Sequence, residues 1–364
     1  MGVSDASDSR LAALTRWVVE DLGFAGSRIE PASADASFRR YFRVTRGADT
    51  YIVMDAPPDK EDVAPFVRVA RLLAGMNLNA PLILAQEAAQ GFLLLSDLGN
   101  LQYLDELKAD REIDRLYADA LAALVVMQTT DIESARTLPP YDRPLLLREM
   151  ELMPEWFLDR HLGLPVGPSE RQMLDRLFDS LVKAAVSQPM AFVHRDYHSR
   201  NLLLTTERNP GILDFQDAVW GPITYDAVSL LKDCYIAWPR QRVLAWLNDY
   251  RERLIRTGVT SVGKAADFVR WFDLMGLQRH IKVLGIFARL YYRDAKRGYL
   301  NDLPRVLDYT RDTAAAYEET AEFARYLKES IEPAFSAAQA RVGALGAVTD
   351  ASAVTDASPG RSGR

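Results

Sequence analysis

Hydrophobic alternation of period two stops near residue 95 of this 364-residue chain, and helical periodicity governs almost everything beyond it. That asymmetry restricts the fold to a small strand-rich part followed by a larger helical one. Residues 40–46 and 50–55 alternate on either side of Gly47-Ala48-Asp49 and read as a hairpin; residues 82–86 and 92–95 read as two further strands about a Gly91 turn. Helices are expected over 10–22, where Leu11, Leu14, Val18 and Leu22 share a face, and over 61–73, where Val63, Phe66, Val67, Ala70 and Leu73 do. Beyond Ser96-Asp97-Leu98-Gly99 the periodic segments are 114–127, 171–186, 225–235, 239–256, 264–275, 277–297 and 303–327. The expected class is α+β and bilobal, with an antiparallel-sheet N-terminal lobe over 1–95, a hinge at 96–99 and a mainly helical C-terminal lobe over 100–335. Residues 340–364, poor in bulky apolar side chains and carrying a repeated Ala-Val-Thr-Asp-Ala-Ser, read as a disordered tail.

Several function classes are disfavoured at once. Lys and Arg number 44 against 50 for Asp and Glu, a formal charge of -6, which argues against nucleic-acid and acidic-membrane partners. No apolar run approaches the ~18 residues of a membrane span, and the polar, acidic start lacks a signal-peptide pattern. Cys234 is the sole cysteine, so an internal disulfide is excluded and a cysteine zinc site is implausible. A reducing cytoplasm is expected. Phosphate-loop, dinucleotide and esterase motifs are absent.

The helical part has one conspicuous non-helical stretch, 191–217, and it carries the chemistry. His194-Arg195-Asp196-Tyr197-His198-Ser199-Arg200-Asn201 has the spacing His-x-Asp-x4-Asn, and Leu213-Asp214-Phe215 follows, its Asp thirteen residues after the Asn. Phosphoryl transfer needs one carboxylate to orient the attacking hydroxyl and further oxygen ligands to hold Mg²⁺ against the phosphates. Asp196 suits the first task, and Asn201 with Asp214 the second.

These paired segments resemble the catalytic and metal loops of the aminoglycoside phosphotransferase and choline kinase group, distant relatives of protein kinases. The resemblance implies a protein-kinase-like fold, ATP and Mg²⁺, Asp196 as catalytic base, Asn201 and Asp214 as metal ligands, and His194 and Asp226 as supports of the loop. Nucleotide contacts are expected from Ser37, Arg43, Leu95, Asp97 and Leu98. A closer resemblance, to the branch that phosphorylates the anomeric hydroxyl of N-acetylated cell-wall amino sugars, rests on four strings. They are Phe38-Arg39-Arg40-Tyr41-Phe42-Arg43-Val44, Val53-Met54-Asp55-Ala56-Pro57-Pro58, the His194–Asn201 segment, and Gln278-Arg279-His280-Ile281-Lys282-Val283-Leu284-Gly285. It implies a small-molecule amino sugar as partner, with Arg195, Tyr197, Arg200, Trp220, Arg279 and Lys282 as candidates for its binding. An aminoglycoside, choline or homoserine acceptor and a non-catalytic nucleotide-binding module stay open, as does the choice between monomer and weak oligomer.

The chain departs from the kinase pattern in two places. The segment Ser33–Arg39 has no glycine to cover phosphates, and Met54 stands where a third-strand lysine is expected. Arg39, Arg40, Arg43 and Lys60 are the candidate replacements, though Arg40 and Arg43 point to opposite faces of a strand and cannot both serve. Glu61 is left without the lysine it would pair with.

Overall fold

The computed structural model describes residues 3–34 and 38–341. Ser37 and the expected tail from residue 342 onward lie outside the described residues. The described residues form two compact units, one within 3–140 and 190–263 and one within 141–189 and 264–341. Elements are numbered along the chain.

In the first unit, α1 (Val3–Arg16) precedes a five-stranded antiparallel sheet in the order β1 (Arg28–Ala34), β2 (Arg40–Arg46), β3 (Asp49–Asp55), β5 (Phe92–Ser96), β4 (Ile83–Glu87). The expected hairpin is β2–β3, its register running from Arg40 opposite Asp55 to Arg46 opposite Asp49. Strand β1 escapes the alternation because Pro31 and small residues fill it, and its register shifts between Pro31 and Ser33. The pleat sends Phe42, Val44, Val53, Phe92 and Leu94 into a core with Leu14, Trp17 and Val18. The other face of the same strands carries Tyr41, Arg43, Ile52 and Leu95, which line a cleft. Helix α2 (Ala64–Gly75) starts three residues later than the apolar pattern suggests, with Pro65 in its first turn, where a missing N–H costs nothing.

The rest of this unit comprises α3 (Tyr103–Lys108), α4 (Ile113–Thr129), α5 (Ile132–Ala135), α8 (Tyr225–Leu231) and α9 (Arg240–Arg256), and two short antiparallel pairs. These are β6 (Met190–Val193) with β9 (Val219–Pro222) and β7 (Leu202–Leu203) with β8 (Gly211–Ile212). Periodicity over 225–235 runs past the end of α8, because Lys232 leaves the helical region at φ -118° and ψ 51°.

The second unit is helical: α6 (Arg143–Met150), a π-helical segment Met153–Leu162, α7 (Pro168–Val186), α10 (Ala265–Tyr292), α11 (Leu303–Ala314) and α12 (Ala321–Tyr326). One helix of 28 residues replaces the two expected on either side of Gly276. A glycine within a helix costs only about 1 kcal/mol relative to alanine, and burial of Phe272, Met275, Leu277 and Ile281 around it outweighs that. Gly285 on α10 is required by closeness, since a Cβ there would stand 2.3 Å from the Leu152 backbone carbon.

Candidate active site

Two strand-and-loop segments of the first unit build the site. Strand β6 feeds the turn His194-Arg195-Asp196, and the β7–β8 pairing brings the residues before β7 beside those after β8. The Asn201 carbonyl accepts the Leu213 N–H at 2.9 Å, so residues far apart in sequence become neighbours. The Asn201 side chain closes the join: its Nδ2 donates to the Asp196 carbonyl at 3.0 Å and to Asp214 Oδ2 at 3.2 Å. Gln216 Nε2 donates to Asp214 Oδ1 at 2.7 Å. With its nitrogen used this way, Asn201 has its amide oxygen left as a ligand atom beside a carboxylate. Hard oxygens of this kind fit Mg²⁺, which binds through one or two protein oxygens and completes its octahedron with phosphate and water. Among the described residues there is no cluster of three His, Cys, Asp or Glu side chains suited to a metal.

The loop is held in an uncommon shape. Arg195 has φ +78° and Asp214 φ +63°, left-handed values that cost a non-glycine residue about 1 kcal/mol or more. Asp226, fully buried in the first turn of α8, accepts the His194 N–H on Oδ2 at 2.6 Å and the Arg195 N–H on Oδ1 at 3.0 Å. Asp233, just past α8, accepts the Ser199 N–H at 2.9 Å and its hydroxyl at 2.5 Å. His194 is fully buried, and its Nδ1 accepts the Asp196 N–H at 3.3 Å. Burial lowers its pKa to about 4, against the opposing pull of the Asp196 charge, so the ring is neutral at physiological pH.

A cleft of about 380 Å³ adjoins Asn201 and Asp214. Tyr41, Arg43, Ile52 and the segment Leu95-Ser96-Asp97-Leu98-Gly99 line it, together with Leu203, Leu213 and Phe215. Asp97 accepts from Arg43 Nε at 2.6 Å, from Arg43 Nη2 at 3.1 Å and from the Gly99 N–H at 2.9 Å. Burial pushes the Asp97 carboxyl up, but the Arg43 guanidinium and the Gly99 N–H outweigh it and hold it below the usual carboxylate range. Arg43 also donates to the Gly99 carbonyl at 3.2 Å, so it braces this segment.

The acceptor candidates fall in both units. Arg200 lies 3.6 Å from the Tyr235 ring centroid and lines the cleft, while Arg195 Nη1 donates to the Asp217 carbonyl at 3.5 Å. Tyr197 is fully buried, its hydroxyl donating to the Ala120 carbonyl at 2.8 Å. Trp220 has Arg136 at 5.8 Å from its ring centroid. Arg279 and Lys282 belong to the second unit and are buried on α10, where Lys282 Nζ lies 3.0 Å from Glu149 Oε1. Sequence reasoning missed the Arg43–Asp97 brace and the Asp233–Ser199 contact; the seven-residue spacing of Asp226 and Asp233 was the available signal for the latter.

A family model described as "Phosphotransferase enzyme family" matches residues 28–262. The N-acetylmuramate/N-acetylglucosamine kinase of Pseudomonas aeruginosa is 50% identical over 297 residues, 82% of this chain and 87% of that protein. The protein of the same name from Neisseria meningitidis is 43% identical over 304 residues, 82% of this chain and 90% of that protein. Among solved structures, an ADP-bound aminoglycoside phosphotransferase matches with a TM-score of 0.54 at 14% identity, covering 83% of this chain and 98% of that one. The Streptococcus pneumoniae choline kinase matches with a TM-score of 0.59 at 12% identity, covering 84% and 99%. These structures share the kinase-like fold with this chain.

Proposed function

The chain belongs to the phosphotransferase enzyme family, and from that premise we propose that it transfers the γ-phosphoryl group of ATP to the anomeric hydroxyl of N-acetylmuramate or N-acetylglucosamine. The observation that carries the chemistry is the Asn201 amide bridging the Asp196 backbone and the Asp214 carboxylate at the edge of the cleft. The identity of 50% over 82% of the chain supports the choice of acceptor.

In this reading Asp196 orients the sugar hydroxyl for in-line attack and accepts its proton as the bond to phosphorus forms. Asn201 Oδ1 and Asp214 would hold Mg²⁺, which would supply charge neutralisation for the phosphate oxygens. Asp226 and His194 keep Asp196 in register with those ligands. Leu95 and Leu98 sandwich the adenine, and the backbone at 95–98 offers the donor and acceptor edge a purine matches. Residues 1–95 then act as the nucleotide-facing lobe, 96–99 as the hinge and 100–335 as the helical lobe. The reaction runs in the cytoplasm, the compartment that supplies ATP.

Incubation of the purified chain with Mg²⁺, labelled ATP and a panel of N-acetylmuramate, N-acetylglucosamine, choline and kanamycin tests the proposal. Label on C1 of an amino sugar, lost on mutation of Asp196, is the expected result. Transfer only to choline or kanamycin, or to nothing, would sink it.

A further inference from the structure

A kinase of this fold needs a cation on the phosphates, and the third strand offers none: Ile52 lines the cleft and Met54 is fully buried. The pleat of β2 sorts the candidate replacements. Tyr41 and Arg43 line the cleft, whereas Phe42 and Val44 enter the apolar core on the other face. Arg40 has the parity of the core residues, and it pairs across the hairpin with fully buried Asp55, Nε to Oδ2 at 3.0 Å; Arg10 of α1 donates to Oδ1 of the same carboxylate at 2.9 Å. Arg43 faces the cleft, but its guanidinium is bound to Asp97 and the Gly99 carbonyl. Lys60 approaches Asp59 at 3.6 Å, with side chains 54% and 71% exposed, a contact of little energetic weight.

Arg39 stands apart from these. It sits one residue before β2 and continues the parity of Tyr41 and Arg43. Its Nε lies 3.5 Å from Glu61 Oε2, with the two side chains only 11% and 17% exposed. Glu61 also accepts the Phe38 N–H at 3.1 Å, fixing the chain as it enters the strand. Five residues after Glu61, Phe66 lines the cleft and packs on Phe215, ring centroids 4.8 Å apart, next to Asp214. The pair therefore stands at the end of the β2 row away from the Arg43–Asp97 brace.

We propose that Arg39 binds the phosphate oxygens of the nucleotide and that Glu61 positions it. The pair supplies from the entry to β2 the cation and carboxylate that protein kinases take from a third-strand lysine and a helix glutamate. A guanidinium suits the task because its planar fork of N–H donors matches the geometry of phosphate oxygens, which an ammonium does less well, and Glu61 orients that plane. This assignment rests on the nucleotide-dependent reading above.

Titration calorimetry of the full chain with Mg·ATP, Mg·ADP and adenosine tests it on Arg39→Ala, Arg39→Lys and Glu61→Gln, with steady-state kinetics on the last. Arg39→Ala is expected to weaken ATP and ADP about 10- to 100-fold, the worth of a charge-assisted hydrogen bond or two, while adenosine binds as before. Arg39→Lys recovers part of the loss. Glu61→Gln raises the KM for ATP several-fold and leaves the KM for the acceptor unchanged. Unaltered ATP affinity in Arg39→Ala overturns the assignment, as does an equal loss of ATP and adenosine in both Arg39 variants. A native chain that binds ATP but phosphorylates neither sugar overturns the proposed acceptor and leaves the Arg39 comparison intact.

Discussion

Arg195 donates its backbone N–H to Asp226 Oδ1 at 3.0 Å, and that bond holds a non-glycine residue at φ +78° one position before Asp196. The other carboxylate oxygen takes the His194 N–H at 2.6 Å, so a single buried side chain sets the direction in which residue 196 leaves β6. Asparagine at 226 keeps the shape but only one acceptor oxygen. Asp226→Asn is expected to lower kcat about 10- to 100-fold, equivalent to a lost hydrogen bond of about 1.5–3 kcal/mol to a charged group. The KM for ATP should stay within about twofold. Steady-state kinetics on the variant, with a melting curve to confirm folding, checks the split.

Asp196 itself gives a cleaner signature. If its carboxylate takes the acceptor proton, Asp196→Asn loses the general-base contribution of about 10²–10⁴-fold in kcat. If the cleft holds the nucleotide, affinity for it should not change. Calorimetry with Mg·ATP beside an assay of transfer separates the two. Native turnover in Asp196→Asn would contradict the role given to this carboxylate.

The pattern from His194 to Asn201 was legible because its chemistry is local: one loop carries the proposed base, a proposed metal ligand and a buried buttress. The strand-to-helix asymmetry was legible for the same reason, since periodicity is a nearest-neighbour property. What escaped the sequence was what the fold closes over long separations. Arg43 and Asp97 are 54 residues apart, and Ser199 and Asp233 are 34 apart. Strand parity separates Arg40 from Arg43 in the sequence, but which of them meets the cleft depends on the packing of α1 against one face of the sheet. Gly276 read as a helix boundary because local propensity says nothing of the apolar neighbours that keep α10 continuous.

Acid should unfold the protein partly through its buried histidines. Burial lowers the pKa of His194 to about 4, and burial with the nearby Arg341 charge lowers that of His161 to about 4, both from 6.5. Below pH 6.5 the unfolded chain takes up these protons and the folded chain does not, so the unfolded state gains. Stability is full above pH 6.5 and falls as pH drops toward 4, each ring contributing up to about 1.4 kcal/mol per pH unit. Urea midpoints measured across that range should decline. His161→Phe, which keeps a ring in contact with Phe157 and Phe335, should flatten the decline by its share.

At Gly285 the helical unit has no room for even a methyl group. A Cβ there would lie 2.3 Å from the Leu152 carbonyl carbon and 2.5 Å from its oxygen, both backbone atoms that cannot swing away. Gly285→Ala gains helix propensity of about 1 kcal/mol but forces two backbones apart, and overpacking of this kind costs about 1–3 kcal/mol or more. The expected net result is a melting temperature lower by several degrees. A rise instead would mean that α10 and the Leu152 backbone can move apart at little cost.

Lys282 and Glu149 form an ion pair in which both side chains are buried, 6% and 7% exposed, and Glu149 also accepts the Tyr141 hydroxyl. Such a pair adds little over a hydrophobic replacement, yet removal of one partner strands a charge. Lys282→Met is therefore expected to cost about 3–5 kcal/mol, through the carboxylate left without its cation. Neutralising that carboxylate as well should return much of the loss, so Lys282→Met combined with Glu149→Gln should be more stable than Lys282→Met alone. Chemical denaturation of the two single variants and the double variant gives the coupling directly. A double variant that loses the sum of the single losses would show that the two residues do not interact in solution.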